Sequence, residues 1–136
     1  MKGMWWTVLL AVCLAIAGCG SEDTASNGPL TLTATEGSYQ GKLAVSSAIV
    51  GPNTFTWSLT DANNQPVTNG KAVLHFSMEG MDHGKSELAL QKEQNGTWTA
   101  DGPHLMMEGD WKLQVVWTDD QGESHPFDYT LEAKIK

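Results

Sequence analysis

The chain has 136 residues, with 16 acidic side chains against 8 basic ones, a net charge of −8, and two cysteines. Every basic residue is lysine. An acidic, arginine-free surface excludes nucleic acid as a partner, because that affinity rests on phosphate neutralisation and favours arginine; it equally excludes electrostatic docking on anionic lipid.

The first predicted element is the apolar run Met4 to Ala17, which follows Lys2. A membrane-spanning helix needs about 20 apolar residues, so the run fits the apolar core of a secretory signal peptide. It ends in Ile16-Ala17-Gly18-Cys19. This resembles the lipobox of bacterial lipoproteins, in which a branched apolar residue and two small residues precede a cysteine. The resemblance implies loss of residues 1–18 and acylation of the Cys19 sulfur, which makes the protein extracytoplasmic and lipid-anchored to the cell membrane. The plainer alternative is an ordinary secretion signal with an incidental cysteine. Cys13 falls in the removed segment, so no disulfide is available and the fold rests on its core. Residues 19–29, polar and rich in turn formers, read as a flexible tether. The domain spans 30–136.

Within that domain the apolar period is two, the mark of half-buried strands. Leu43, Val45, Ser47 and Ile49 form one inward set; Phe55, Trp57 and Leu59 another. Lys71 to Met78 follows as a strand, then Ser86 to Glu93. Asn95-Gly96 is predicted to form a type I′ hairpin turn, and Gly96 to Asp101 runs back. Trp111, Leu113, Val115 and Trp117 form the next inward set, and Phe127, Tyr129, Leu131, Ala133 and Ile135 the last. Seven to eight strands with regular turns predict an all-β fold, an immunoglobulin-like antiparallel β-sandwich. Trp57, Trp98, Trp111 and Trp117 supply much of its core. The acid pair Asp119-Asp120 lies in a turn and reads as solvated. His75 reads as structural or exposed, and His125 lies far along the chain from the other histidines.

Four methionines remain after residue 18, in two clusters each beside a histidine: Met78-Glu79-Gly80-Met81-Asp82-His83 and His104-Leu105-Met106-Met107. Thioether and imidazole together form a soft ligand set that favours Cu(I). Read as loops, 79–85 and 102–108 emerge at the same end of the sandwich, joined by two strands that run out and back. Met81, His83, His104 and Met106 or Met107 then converge. Met81 and His83, like His104 and Met106, are two apart and share a side in extended chain, so two sulfur–nitrogen pairs would make a four-coordinate site. Met78 is in phase with Leu74 and Phe76, which favours core packing over ligation. Met107 is in phase with Trp111, and Met106 is out of that phase and exposed. Asp82 and Glu108 are too few carboxylates for a hard ion.

Met78-x-x-Met81-x-His83-Gly84, Gly96-x-Trp98 and Met107-x-Gly109-x-Trp111 together resemble the YtkA-like domain, which is grouped with FixH-type proteins. The match runs from Val73 to about Trp117. The resemblance implies a small extracytoplasmic β-sandwich, often membrane-tethered, associated with copper handling or respiratory-oxidase assembly; Met78, Met81, His83 and Met107 match its pattern and His104 does not. His104-x-Met106 is also similar to half of the His/Met motif of periplasmic copper(I) chaperones.

No catalytic constellation accompanies these clusters. Gly37-Ser38-Tyr39-Gln40-Gly41 has tyrosine where a nucleophile elbow needs serine, and no phosphate-binding glycine loop is present. The sequence therefore predicts a non-enzymatic lipoprotein that binds Cu(I) and meets a copper-accepting or copper-donating protein. The alternative is a metal-free β-sandwich that acts as an interaction or scaffold module, since sandwiches host many functions.

Overall fold

The computed structural model describes residues 28–78 and 81–135, with the backbone alone described for 81–85. The signal segment, Cys19 and the tether proposed for 19–29 lie outside the described residues, save Gly28 and Pro29.

Ten strands follow one another along the described residues: β1 (Leu30–Glu36), β2 (Tyr39–Val45), β3 (Gly51–Thr60), β4 (Pro66–Val67), β5 (Lys71–Met78), β6 (Met81–Ala89), β7 (Gln91–Lys92), β8 (Trp98–Leu105), β9 (Gly109–Thr118) and β10 (Ser124–Ala133). They form two antiparallel sheets. The first has the order β1-β2-β3-β8-β7, with β4 added beside β3; the second has the order β10-β9-β5-β6. The all-β antiparallel sandwich read from the alternation is therefore the fold, with ten strands rather than seven or eight because β4 and β7 are two residues long.

Alternation explains the layering. On β9, Trp111, Leu113, Val115 and Trp117 are buried, and on β10 Phe127, Tyr129, Leu131 and Ala133 are buried. The second set stops there: Ile135 lies past the end of β10 and is 67% exposed. Ile49 likewise lies past β2 and makes an isolated parallel bridge to Lys134. All four domain tryptophans are at most 1% exposed. Trp57 and Trp98 pack with ring centroids 5.3 Å apart, and Trp57 meets Phe127 of the opposite sheet at 5.2 Å.

Two hairpin details differ from expectation. The Asn95-Gly96 turn is not type I′, since Gly96 has φ +89° and Asn95 is not among the positive-φ residues. Glu93 and Thr97 close a wider turn, with the Glu93 N–H donating to the Thr97 carbonyl at 2.7 Å. Asn95 Oδ1 accepts from the Thr97 N–H at 3.0 Å, which favours this turn over the tighter one. The second difference is that Ser86 to Glu93 is not one strand. β6 ends at Ala89, buried Leu90 donates its N–H to Ala72, and the chain crosses to the first sheet as β7.

Candidate functional site at the methionine-bearing end

On β5, Leu74 and Phe76 point into the core and Met78 continues that inward face, partly buried against it. Its Cα partners are Trp111 on β9 and Met81 on β6. Gly109, at φ +141°, opens β9 beside it; a Cβ there would sit 2.6 Å from the Met78 methyl carbon. That glycine provides the space that the thioether fills.

The link from β8 to β9 carries the other two described methionines. The Trp111 indole N–H donates to the Met107 carbonyl at 2.9 Å, so a buried ring ties this link down. Met106 is 55% exposed and Met107 40% exposed. Met106 thus faces solvent as expected. Met107 does too, because the chain turns at Gly109 and breaks its phase with Trp111.

His104 is on β8, not in a loop, and leans into the gap between the sheets. Its ring stacks on Phe76 with centroids 4.9 Å apart and planes 18° apart. Gly102 lies beneath the ring, and a Cβ there would collide with Nδ1. His104 Nδ1 is buried without a hydrogen-bond partner among the described residues. The hydroxyl of Ser86, the Cα partner of Phe76, is in the same condition. Buried polar atoms are nearly always paired, so two unpaired ones flanking a single phenylalanine mark this place.

Both expected loops are shorter than the sequence suggests. Residues 81–89 are strand, so the strand begins within the segment read as a loop. The ladder slips between Phe76 and Met78, so that Met78 faces Met81. Residues 102–105 are also strand, because Gly51 of β3 pairs with Leu105 across a bulge. The two clusters therefore lie on different sheets, on β5–β6 of one and at the end of β8 of the other, instead of along one hairpin. Met78, His104, Met106, Met107 and the Met81 backbone gather at one end. Met81 and His83 both lie on β6, but their side chains lie outside the described residues, as does Cys19.

A second cluster occupies the opposite end of β9, and sequence reasoning missed it. His125 Nδ1 is 2.9 Å from Glu36 Oε1, and Nε2 is 2.9 Å from Asp119 Oδ2. Asp119 is not solvated: its side chain is 11% exposed. Its Oδ1 accepts the N–H groups of Gln121 and Glu123 at 2.9 and 3.0 Å. The His125 ring packs on Trp117 at 5.0 Å and Tyr39 at 5.5 Å. The signal was present, since His125 is in phase with inward-facing Phe127 and Tyr129. The Asp119 hydrogen bond first, and Glu36 after it, raise the His125 pKa above 6.5 against the pull of burial. Asp119 is held below its ordinary 3.8, chiefly by the bond from His125. Asp119, Glu123 and His125 could each offer one ligand atom within 4.8 Å of the others, but both ring nitrogens are already engaged.

Compared with known proteins, residues 33–116 match the family model described as YtkA-like. No curated protein matches the chain. No solved structure matches it. The matched span holds Met78, Met81, His83, His104, Met106 and Met107, and stops short of Asp119 and His125.

Proposed function

Because the chain belongs to the YtkA-like family, we propose that it is an extracytoplasmic lipoprotein that binds Cu(I) at the methionine-bearing end of its sandwich. Acyl chains on Cys19 hold it to the membrane, and residues 19–29 tether the domain. It is a binding protein, not an enzyme. Its cargo passes to or from a copper-handling partner protein, in copper supply or respiratory-oxidase assembly.

One observation carries this reading. His104 Nδ1 is a buried imidazole nitrogen with no partner among the described residues, at the end of the sandwich that also carries Met78, Met106 and Met107. An unsatisfied buried nitrogen is a group awaiting a partner. Beside soft sulfur ligands, Cu(I) is the ion that such a set suits. Met78, Met81, His83, His104, Met106 and Met107 would supply the ligands. The exposed pair Met106 and Met107 is accessible to a donor or acceptor protein, whereas Met78 offers a sulfur at greater depth.

The test is competition of the full chain against a Cu(I) chelator under reducing conditions. His104→Phe keeps a flat ring on Phe76 and removes the nitrogens; Met106→Leu and Met107→Leu keep the bulk and remove sulfur. Each is expected to weaken Cu(I) binding by about tenfold or more, the scale on which metal sites respond to lost support. Unchanged affinity in the triple variant rejects the site and leaves the metal-free interaction module.

A further inference from the structure

The two ring nitrogens of His125 both face carboxylate oxygens at hydrogen-bonding distance, Glu36 Oε1 on one side and Asp119 Oδ2 on the other, each at 2.9 Å. An ionised carboxylate only accepts, and a neutral imidazole has one donor and one acceptor nitrogen. Two such contacts are therefore satisfied together only when both nitrogens carry a proton. Remove one, and a nitrogen lone pair points at a carboxylate oxygen in a site where the His125 side chain is 15% exposed.

The three residues come from separate parts of the fold. Glu36 ends β1, which pairs only with β2 among the described strands and forms an edge of the first sheet. Asp119 begins the turn between β9 and β10, and His125 lies on β10, the edge of the second sheet. From this we infer that His125 is a proton-operated clasp: as an imidazolium it fastens the β1–β2 hairpin to the β9–β10 hairpin across the sheets, and as a neutral ring it releases one of them.

The surroundings of the ring are consistent with that role. Facing it are Glu36 from β1, Tyr39 from β2, Trp117 from β9, and Asp119 and Glu123 from the turn. The acids favour the cation, and the two aromatic rings fix the plane of the imidazole. No lysine makes an ion pair with Glu36 or Asp119 among the described residues, so the imidazolium is the cation that holds these two carboxylates. His125 raised above its ordinary value gives the sign: the clasp is closed below about pH 6.5 and opens as pH rises through the folded-state pKa. It rests on neither the copper reading nor the lipid anchor.

The test is nitrogen NMR of the imidazole rings in the full chain, with a metal chelator present, titrated from acid to alkaline pH. His125 is expected to show both ring N–H groups at pH 6 and to lose one with a midpoint above 6.5. Glu36→Gln, which is isosteric and partly exposed, is expected to shift that midpoint to lower pH. Amide exchange in β1 relative to β5 is expected to accelerate through the same midpoint in the unaltered chain. A His125 that is already neutral at pH 6, a midpoint that Glu36→Gln leaves in place, or a β1-to-β5 exchange ratio constant with pH would each overturn the clasp.

Discussion

The imidazole of His104 lies almost flat on the ring of Phe76, with centroids 4.9 Å apart and planes 18° apart. This contact joins the two sheets at the end where the methionines gather. It makes His104 both a packing residue and the holder of a nitrogen unpaired among the described residues, and the two roles separate by substitution. His104→Phe is expected to leave the unfolding free energy within about 1 kcal/mol of the unaltered chain, as a shape-conserving aromatic swap allows. His104→Ala is expected to cost about 2–4 kcal/mol through the cavity beside Phe76. Urea unfolding checks both, and a large loss in His104→Phe would show that the nitrogens are bonded within the fold.

Tyr129 carries the buried polar link of the core. Its hydroxyl accepts the Trp57 indole N–H at 2.9 Å and donates to the Gly41 carbonyl at 2.8 Å. Burial raises the phenol's pKa, so this donor stays protonated at any ordinary pH. Tyr129→Phe would orphan both partners at once. The expected cost is about 1–3 kcal/mol, read as a fall in urea midpoint with unchanged slope. A neutral result would mean that the indole and the carbonyl find other partners.

Gly109 is expected to be less replaceable than Gly122. Both have positive φ, but a Cβ at Gly109 meets the Met78 methyl whereas at Gly122 it meets open space. Gly122→Ala should cost only the backbone strain, on the order of 1 kcal/mol. Gly109→Ala adds displacement of Met78, so it should weaken Cu(I) binding as well as stability. Equal effects on stability and no effect on affinity would remove Met78 from the ligand set.

Acid should undo what Asp119 contributes. Its carboxyl is held below 3.8 by His125 and by two turn N–H groups. Its stabilisation is present above that value and is lost as pH falls through the lowered one. The stability gap between the unaltered chain and Asp119→Asn should therefore be full near pH 6 and close in strong acid. A gap independent of pH would contradict the ionised bond.

The parts of the fold that were readable in the sequence are those where one face is buried. β5 runs from Lys71 to Met78 as its alternation implies, and Phe127 to Ala133 alternate without a break. The first half of β6 was not readable: Asp82 and Gly84 look like a loop, yet an edge strand pairs on one side only and tolerates them. The switch of sheets at Leu90 leaves a single buried residue as its trace. The likeness of the two Met/His clusters was visible, but not the stacking of His104 on Phe76, which depends on Gly102 making space for the ring. His125 shows the converse: its phase placed it inward, and only the three-dimensional fold brings Glu36, distant along the chain, to its second nitrogen.

The most direct measurement is carbon NMR of methyl-labelled methionines in the full chain as Cu(I) is added under reducing conditions. The methyls of Met78, Met106 and Met107, together with the ring of His104, are expected to shift in step and to stop shifting at one equivalent. Methyl signals that stay in place while Cu(I) is bound elsewhere, or no binding at all, would contradict a copper site at this end of the sandwich.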